Sequence, residues 1–175
     1  MPLTCHPDTP SRAVTAIELQ LAMLASGRLR ARFHVDGVLD DIALPDPAPP
    51  ERADGLWRTT CFELFVHDQA GSGYIEFNFS PSSRWSAYRF SDYREFETEL
   101  GCAQPPKIEL DASETHLTLE VELDIPRNAG KLALSAVIEE SDGTKSYWAL
   151  AHPLGKPDFH HKDCFALTLP APGTP

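Results

Sequence analysis

Apolar and polar residues alternate with a period of two along most of this chain, and this constrains the fold more than any other feature. In a clear example, Leu29, Ala31, Phe33 and Val35 alternate with Arg28, Arg30, Arg32 and His34. Such alternation is typical of a β-strand that has one face on a core and one face in water. Turn residues such as Ser26-Gly27 and Ser141-Asp142-Gly143 separate the runs and predict hairpins. With no convincing long helix, the pattern predicts an all-β chain, an antiparallel β-sandwich of about ten strands with immunoglobulin-like or jelly-roll-like topology.

The length of 175 residues fits one domain. Residues 1–12 are polar and proline-containing, which predicts a flexible N-terminal arm. We expect the sandwich domain to span residues 13–169 and residues 170–175 to form a tail. The acidic segment 91–101 is expected to hold a short helix.

Composition limits the partners and the location. The net charge of −11 argues against a nucleic-acid backbone or an anionic membrane surface as partner. No apolar run approaches the roughly 20 residues of a membrane span. The N-terminal segment lacks the basic and apolar regions of a secretory signal, so we expect a cytoplasmic protein. Without a CxxC motif, Cys5, Cys61, Cys102 and Cys164 are expected to be free thiols rather than disulfides.

The stretch from Leu56 to Phe90 carries the strongest functional signal. It contains two alternating strands around a Gly-Ser-Gly turn, followed by a third strand. The polar side of these strands holds Glu63, Glu76, Asn78, Arg84 and Tyr88, with Trp57 and Trp85 at the two ends. A solvated sheet face would explain the polar residues. However, Asn is a poor strand former, so its place in mid-strand favours a site that binds a polar small molecule such as a sugar.

Two further segments add candidates to this predicted site. Trp148 lies in a later strand beside Tyr147, although any single Trp is often core filler. The loop from His152 to Cys164 is rich in histidine, and its alternatives are a metal site or a polar loop lining a ligand pocket. Its spacing matches no zinc signature, so we predict no metal. The predicted ligand-binding residues are Trp57, Arg58, Glu63, Glu76, Asn78, Arg84, Trp85, Tyr88, Trp148, His152, His160 and His161.

Two other functions stay open at this point. The basic stripe from Arg28 to His34 is either balanced by Glu18 or by glutamates on a neighbouring strand, or it contacts an anionic partner. Glu63 and Glu76 provide a carboxylate pair of the kind that glycosidases use. The chain has no GxSxG, HExxH or phosphate-loop motif, so we do not expect an enzyme.

The central stretch resembles the DOMON-like domains, which are related to family 9 carbohydrate-binding modules. In these domains a strand led by Trp, of the form "W…ElF", precedes the pattern "Y.Ef..sP...w". The matching positions here are Trp57, Glu63, Leu64, Phe65, Tyr74, Glu76, Phe77, Ser80, Pro81 and Trp85.

The resemblance implies a β-sandwich that binds either a sugar or, in electron-transfer members, a haem. Haem members ligate iron with Met and His or with Met and Lys. This chain has only Met1 and Met23, neither at a matching position, which favours a sugar and no cofactor. We therefore expect a non-catalytic module that binds a carbohydrate or sugar-like molecule on a concave sheet face. The alternative is a haem- or metal-binding protein that uses the loop from His152 to Cys164.

Overall fold

The computed structural model describes residues 1–69 and 71–169 and confirms the all-β prediction. In the described residues the ordered elements are β-strands and three short 3-10 helices. The strands are β1 Pro2–Cys5, β2 Val14–Met23, β3 Leu29–Gly37, β4 Cys61–Asp68, β5 Tyr74–Phe79, β6 Trp85–Asp92, β7 Glu95–Glu99, β8 Lys107–Ala112, β9 His116–Leu123, β10 Ala129–Glu139, β11 Lys145–Ala149 and β12 Leu167–Thr168. The 3-10 helices are Leu39–Asp41, Leu56–Arg58 and Lys162–Cys164.

The strands form one continuous antiparallel path that folds into two layers. The order is β7-β6-β5-β4-β10-β11-β1-β2-β3-β9-β8, and β12 adds to β10. We call β7, β6, β5, β4, β10 and β11 the site sheet, and β2, β3, β9 and β8 the back sheet. Because β1 pairs with β11 on one side and with β2 on the other, it joins the two layers.

The main hydrophobic core lies between the two sheets. The alternation seen in the sequence explains it, since every second residue of each long strand points inward. Phe33 of the back sheet contacts Phe62 of the site sheet, with ring centroids 5.0 Å apart. The site sheet has a second, smaller apolar cluster on its other face, built around Phe65, Phe159 and Phe165. Loop residues therefore cover part of the outer face of the site sheet, and this face carries the candidate site.

Three local predictions need correction. Residues 1–12 do not form a free arm, because β1 is hydrogen-bonded between two strands. Segment 91–101 holds strand β7 instead of a helix, since Phe96 and Thr98 extend the ladder beyond β6. The alternation near the C-terminus predicts a last strand over Cys164–Leu169, but β12 covers only Leu167–Thr168, since Cys164 is the end of a 3-10 helix. The predicted tail, residues 170–175, lies outside the described residues.

The basic stripe on β3 is balanced by the neighbouring strand. In the register of β3 with β9, Arg30 lies opposite Glu122 and Arg32 opposite Glu120. The Arg30 guanidinium reaches Glu120 at 3.1 Å. For Arg30 this arrangement matches the simpler of the two interpretations, in which glutamates on a neighbouring strand balance the charge. All four cysteines are free thiols.

Candidate functional site

The outer face of the site sheet buries two carboxyl groups side by side. Alternation along β4 and β5 turns Glu63 and Glu76 outward, away from the main core. Glu63 lies opposite Asn78, and Glu76 lies opposite Phe65, so the two glutamates are diagonal neighbours on adjacent strands. Their exposed fractions are only 3% and 6%. We call Glu63 and Glu76 the acid pair.

Neutral groups hydrogen-bond to the acid pair. The Ser135 hydroxyl on β10 donates to Glu63 Oε2 at 3.0 Å. The Asn78 amide Nδ2 donates to Glu76 Oε1 at 2.6 Å. Asn78 is fully buried, and its own carbonyl oxygen accepts from the Cys61 thiol at 3.7 Å. Asn78 therefore supports Glu76 from within the sheet, which explains an amide at mid-strand.

Burial makes the acid pair easier to protonate. Burial, and then the charge of Glu76, raise the pKa of Glu63 to about 8, against the opposing effects of the Ser135 hydrogen bond and of Arg94. Burial also raises the pKa of Glu76, against the Asn78 hydrogen bond and the positive charge of Arg94. Two neighbouring carboxyl groups that are both buried from water do not both ionise readily. The pair therefore retains a proton near neutral pH.

His160 covers Glu76 from the loop that follows β11. Its Nδ1 lies 2.7 Å from the Tyr74 hydroxyl, and its Nε2 lies 3.6 Å from Glu76 Oε2. The Tyr74 oxygen also accepts the backbone N–H of Arg94 at 3.1 Å, so the tyrosine proton is free to point at Nδ1. Burial lowers the pKa of His160 to about 4, with Arg94 acting in the same direction. His160 is therefore neutral at physiological pH and presents Nε2–H to Glu76.

Asp158 fastens two loops over the sheet. It accepts hydrogen bonds from the Arg94 guanidinium at 2.8 Å, from the Tyr93 hydroxyl and from the His160 backbone N–H. Arg94 sits at the β6–β7 turn with a left-handed φ of 54°. Although burial acts to raise the pKa of Asp158, the bonds from Tyr93 and Arg94 hold it below its usual value. Asp158 is therefore ionised and holds the β6–β7 turn against the loop of His160.

A pocket of about 920 Å³ opens above the acid pair. Its aromatic walls are Trp57, Tyr88, Phe90, Phe96, Tyr147 and Phe159. Charged side chains at its sides are Asp54, Arg58, Arg94, Glu99, Lys145 and Asp158. We call this cavity the site pocket. Trp57 is held at its mouth by the 3-10 turn Leu56–Arg58, which begins after Gly55 at a left-handed φ of 72°.

Six of the residues predicted from the sequence line this pocket, namely Trp57, Arg58, Glu63, Glu76, Tyr88 and His160. Asn78 lies just below it and holds Glu76. The other predicted residues lie elsewhere. Arg84 pairs with Glu51 at 2.8 Å on the surface. Trp85 and Trp148 belong to the main core.

The three histidines of the loop do not converge. His152 Nε2 contacts the backbone oxygen of Thr4 at 2.8 Å. His161 accepts from the backbone N–H of Asp163 and so caps the last 3-10 turn. Only His160 reaches the acid pair. Within residues 1–69 and 71–169, no group of three or more His, Cys, Asp or Glu side chains is arranged to hold a metal ion.

Several pocket residues were missed from the sequence. Tyr147 and Lys145 alternate along β11 as the acid pair does along its strands. This alternation could have predicted that both side chains lie on the outer face of the site sheet. Arg94 and Asp158 lie in turns, where the sequence has no periodic pattern from which the direction of a side chain could be predicted. Arg94 also fell in the segment for which a helix was expected.

Across the part of the chain that the structure describes, no helix is long and apolar enough to span a membrane.

Comparisons with known proteins bear on the fold. No protein-family model matches the chain, and no curated protein sequence matches it. Among solved structures, the chain resembles one described as a "putative carbohydrate-binding protein" from Bacteroides uniformis. The TM-score is 0.56 at 15% identity, covering 94% of this chain and 83% of the other. At this identity the likeness shows a shared fold across nearly the entire chain.

Proposed function

We propose that this chain is a non-catalytic module that binds a small polar ligand of the carbohydrate class in the site pocket. The observation that carries the proposal is the buried acid pair at the base of a cavity with aromatic walls. Its volume of about 920 Å³ is within the usual range for small-ligand sites. Carboxyl groups exchange hydrogen bonds with sugar hydroxyls, and aromatic rings pack on the C–H faces of sugar rings.

Trp57 supports the proposal because it has no evident structural duty. It is 49% exposed at the mouth of the pocket, although a tryptophan normally gains stability from burial. The Arg58 guanidinium lies 5.2 Å from its ring centroid, which holds one side of the indole. The opposite side is then available as a platform for a ligand ring.

The fold and the central motif also support the carbohydrate class. The structural neighbour from Bacteroides uniformis bears a carbohydrate-binding description, and its fold matches over most of both chains. The strand pattern around Trp57, Glu63 and Glu76 resembles that of DOMON-like domains. We accordingly infer that the chain is a DOMON-like sandwich.

We favour binding over hydrolysis because of where the two carboxyls stand. Glycosidases place a carboxyl on each side of the scissile bond. Here both members of the acid pair rise from one face of one sheet, so they meet the same side of a ligand. Incubation with chromogenic aryl glycosides is expected to release no chromophore. Release of many chromophore molecules per protein molecule would make the protein a hydrolase.

Isothermal titration calorimetry with a panel of neutral and charged monosaccharides tests the proposal. We expect saturable binding of at least one sugar and a clear weakening of it in Glu76→Gln and Trp57→Ala. Glu109→Gln is the matched acid control, since Glu109 is exposed on β8 of the back sheet. Leu110→Ala is the matched apolar control, since Leu110 is 41% exposed on the same strand. Sugar binding that is as tight in both pocket variants as in the wild type would move the site elsewhere.

A further inference from the structure

The acid pair has no basic partner, unlike the other acids around the site pocket. Asp54 and Glu99 both pair with Arg52, at 2.8 and 3.0 Å. Asp158 pairs with Arg94 at 2.8 Å. Among the described residues no ion pair joins Glu63 to a base, and Glu76 meets only His160. Two acidic groups are therefore buried together with no resident cation between them.

The bases near the pair are already engaged or uncharged. His160 approaches Glu76 at 3.6 Å but is neutral. Arg94 attracts both carboxyls through space while its guanidinium is bonded to Asp158. Lys145 lines the pocket from β11 and pairs with Glu139 at 3.3 Å. An isolated buried acid normally gains a cation or stays protonated.

We propose that the ligand of the site pocket carries a protonated amine, and that its ammonium group docks against Glu63 and Glu76. This inference rests on the proposed function, and the ligand class it names is an amino sugar. An ammonium group has three N–H donors and no acceptor, which suits carboxylate oxygens whose present partners are Ser135 and Asn78.

The pocket walls suit a cation as well. Tyr88, Phe90 and Tyr147 stand around the opening above the pair. Aromatic faces attract ammonium groups through their quadrupoles, most strongly where water is excluded. Charge-assisted hydrogen bonds to the carboxylates would add to this attraction. A neutral sugar would leave the second buried carboxyl without a charged partner.

Docking of an ammonium group should expel a proton from the acid pair. Before binding, the pair holds one proton near neutral pH. Afterwards both carboxylates are ionised, the ammonium is intact and the proton is in solution. The titratable or charged groups that face the pair from the surrounding elements are Cys61, Tyr74, Tyr88, Arg94, Lys145, Asp158 and His160. His160 stays neutral above about pH 4 and the thiol of Cys61 has a raised pKa, so neither is expected to titrate near neutrality.

Calorimetric titration of the full chain with four defined probes tests the inference. The probes are 6-amino-6-deoxyglucose, glucose, N-acetylglucosamine and propylamine. An alkyl ammonium stays charged over the neutral range, as a lysine side chain does. We expect 6-amino-6-deoxyglucose to bind at least about tenfold more tightly than glucose, since charge-assisted hydrogen bonds are roughly twice as strong as neutral ones. Its association constant should fall up to about tenfold per pH unit below pH 8, because one proton must leave.

The outcomes separate this inference from the proposed function. Tighter binding of glucose than of the amino sugar would overturn the ammonium site and leave carbohydrate binding intact. Propylamine binding as tightly as the amino sugar would support the cation site and overturn the carbohydrate class. Failure of all four probes would overturn both. Titrations in buffers of different ionisation enthalpy should also show net proton release, and no release would contradict the docking.

Two substitutions locate the cation. Glu63→Gln and Glu76→Gln should each reduce the proton release, because each removes one of the two coupled carboxyls, and the double variant should abolish the preference for the amine, because no carboxylate is left at the base of the pocket. Glu109→Gln, on the exposed edge of the back sheet, should retain both. An amine preference that persists in the double variant would place the cation elsewhere in the pocket. Far-ultraviolet circular dichroism identifies any variant that fails to fold.

Discussion

Glu63→Gln should stabilise the folded protein at neutral pH, although it replaces a hydrogen-bonded buried residue. An ionised Glu63 costs stability because burial and Glu76 oppose its charge. The glutamine keeps the shape, still accepts from the Ser135 hydroxyl, and gains an amide that can donate to Glu76. The substitution therefore removes the penalty while retaining the packing.

The magnitude follows from linkage between proton binding and folding. The pKa of Glu63 is about 8 in the folded state, against 4.5 for the ordinary carboxyl. Between these values the folded state binds more protons, so the contribution of Glu63 to stability is fully present below about pH 4.5 and is lost as the pH rises to about 8. At 1.36 kcal/mol per pH unit, the penalty at pH 7 is about 3 kcal/mol.

Urea unfolding monitored by tryptophan fluorescence measures this difference. We expect Glu63→Gln to exceed the wild type by about 2–3 kcal/mol at pH 7, by more at pH 8, and by almost nothing near pH 4.5. Subtracting the free energy of unfolding of the wild type from that of the variant removes the contributions of other titrating groups, such as His160 and Asp158. Glu109→Gln is the control for removing a carboxyl outside the site, since Glu109 is exposed on β8. A destabilised Glu63→Gln at pH 7, or a gain independent of pH, would refute the reasoning.

Three further predictions concern the supports of the site. Tyr74→Phe removes the hydroxyl that bonds His160 and the Arg94 backbone, so urea unfolding should show a loss of about 1–2 kcal/mol, whereas Tyr147→Phe should cost less. His160 should remain neutral down to about pH 4, so its ring nitrogen resonances in NMR should not titrate between pH 7 and 5; a midpoint near the ordinary value of 6.5 would contradict its burial beside Arg94. Asp158→Asn weakens the contact between the β6–β7 turn and the His160 loop, so amide hydrogen exchange at Arg94 and His160 should accelerate while β3 stays protected.

The fold was accessible from the sequence because alternation has a direct physical cause. A strand that buries one face must place an apolar residue at every second position, and β3, β5 and β9 do so without interruption. Strand β1 was missed because four residues carry too little alternation to detect, and its order comes from pairing with β2 and β11. Strand β7 was missed because all of its residues are exposed and no apolar pattern marks it.

The candidate site was only partly accessible, for a related reason. Alternation along three adjacent strands turns Glu63, Glu76 and Tyr88 to the same outer face, so the sequence alone predicted that they lie close together. The same alternation wrongly predicted that Arg84 lies in the site. Arg84 lies in the turn before β6, and its guanidinium forms an ion pair with Glu51. Arg94, Asp158 and His160 meet through loop conformations. These depend on tertiary contacts such as the Asp158 carboxylate, which no local pattern records.

An NMR titration of isotope-labelled protein with 6-amino-6-deoxyglucose and glucose tests the central claim most directly. We expect saturable shift changes centred on Glu63, Glu76, Ser135 and Tyr147, around the base of the site pocket, with little change on the back sheet. The amino sugar should saturate at the lower concentration. Shift changes confined to the back sheet, or no saturable change with either sugar, would contradict it.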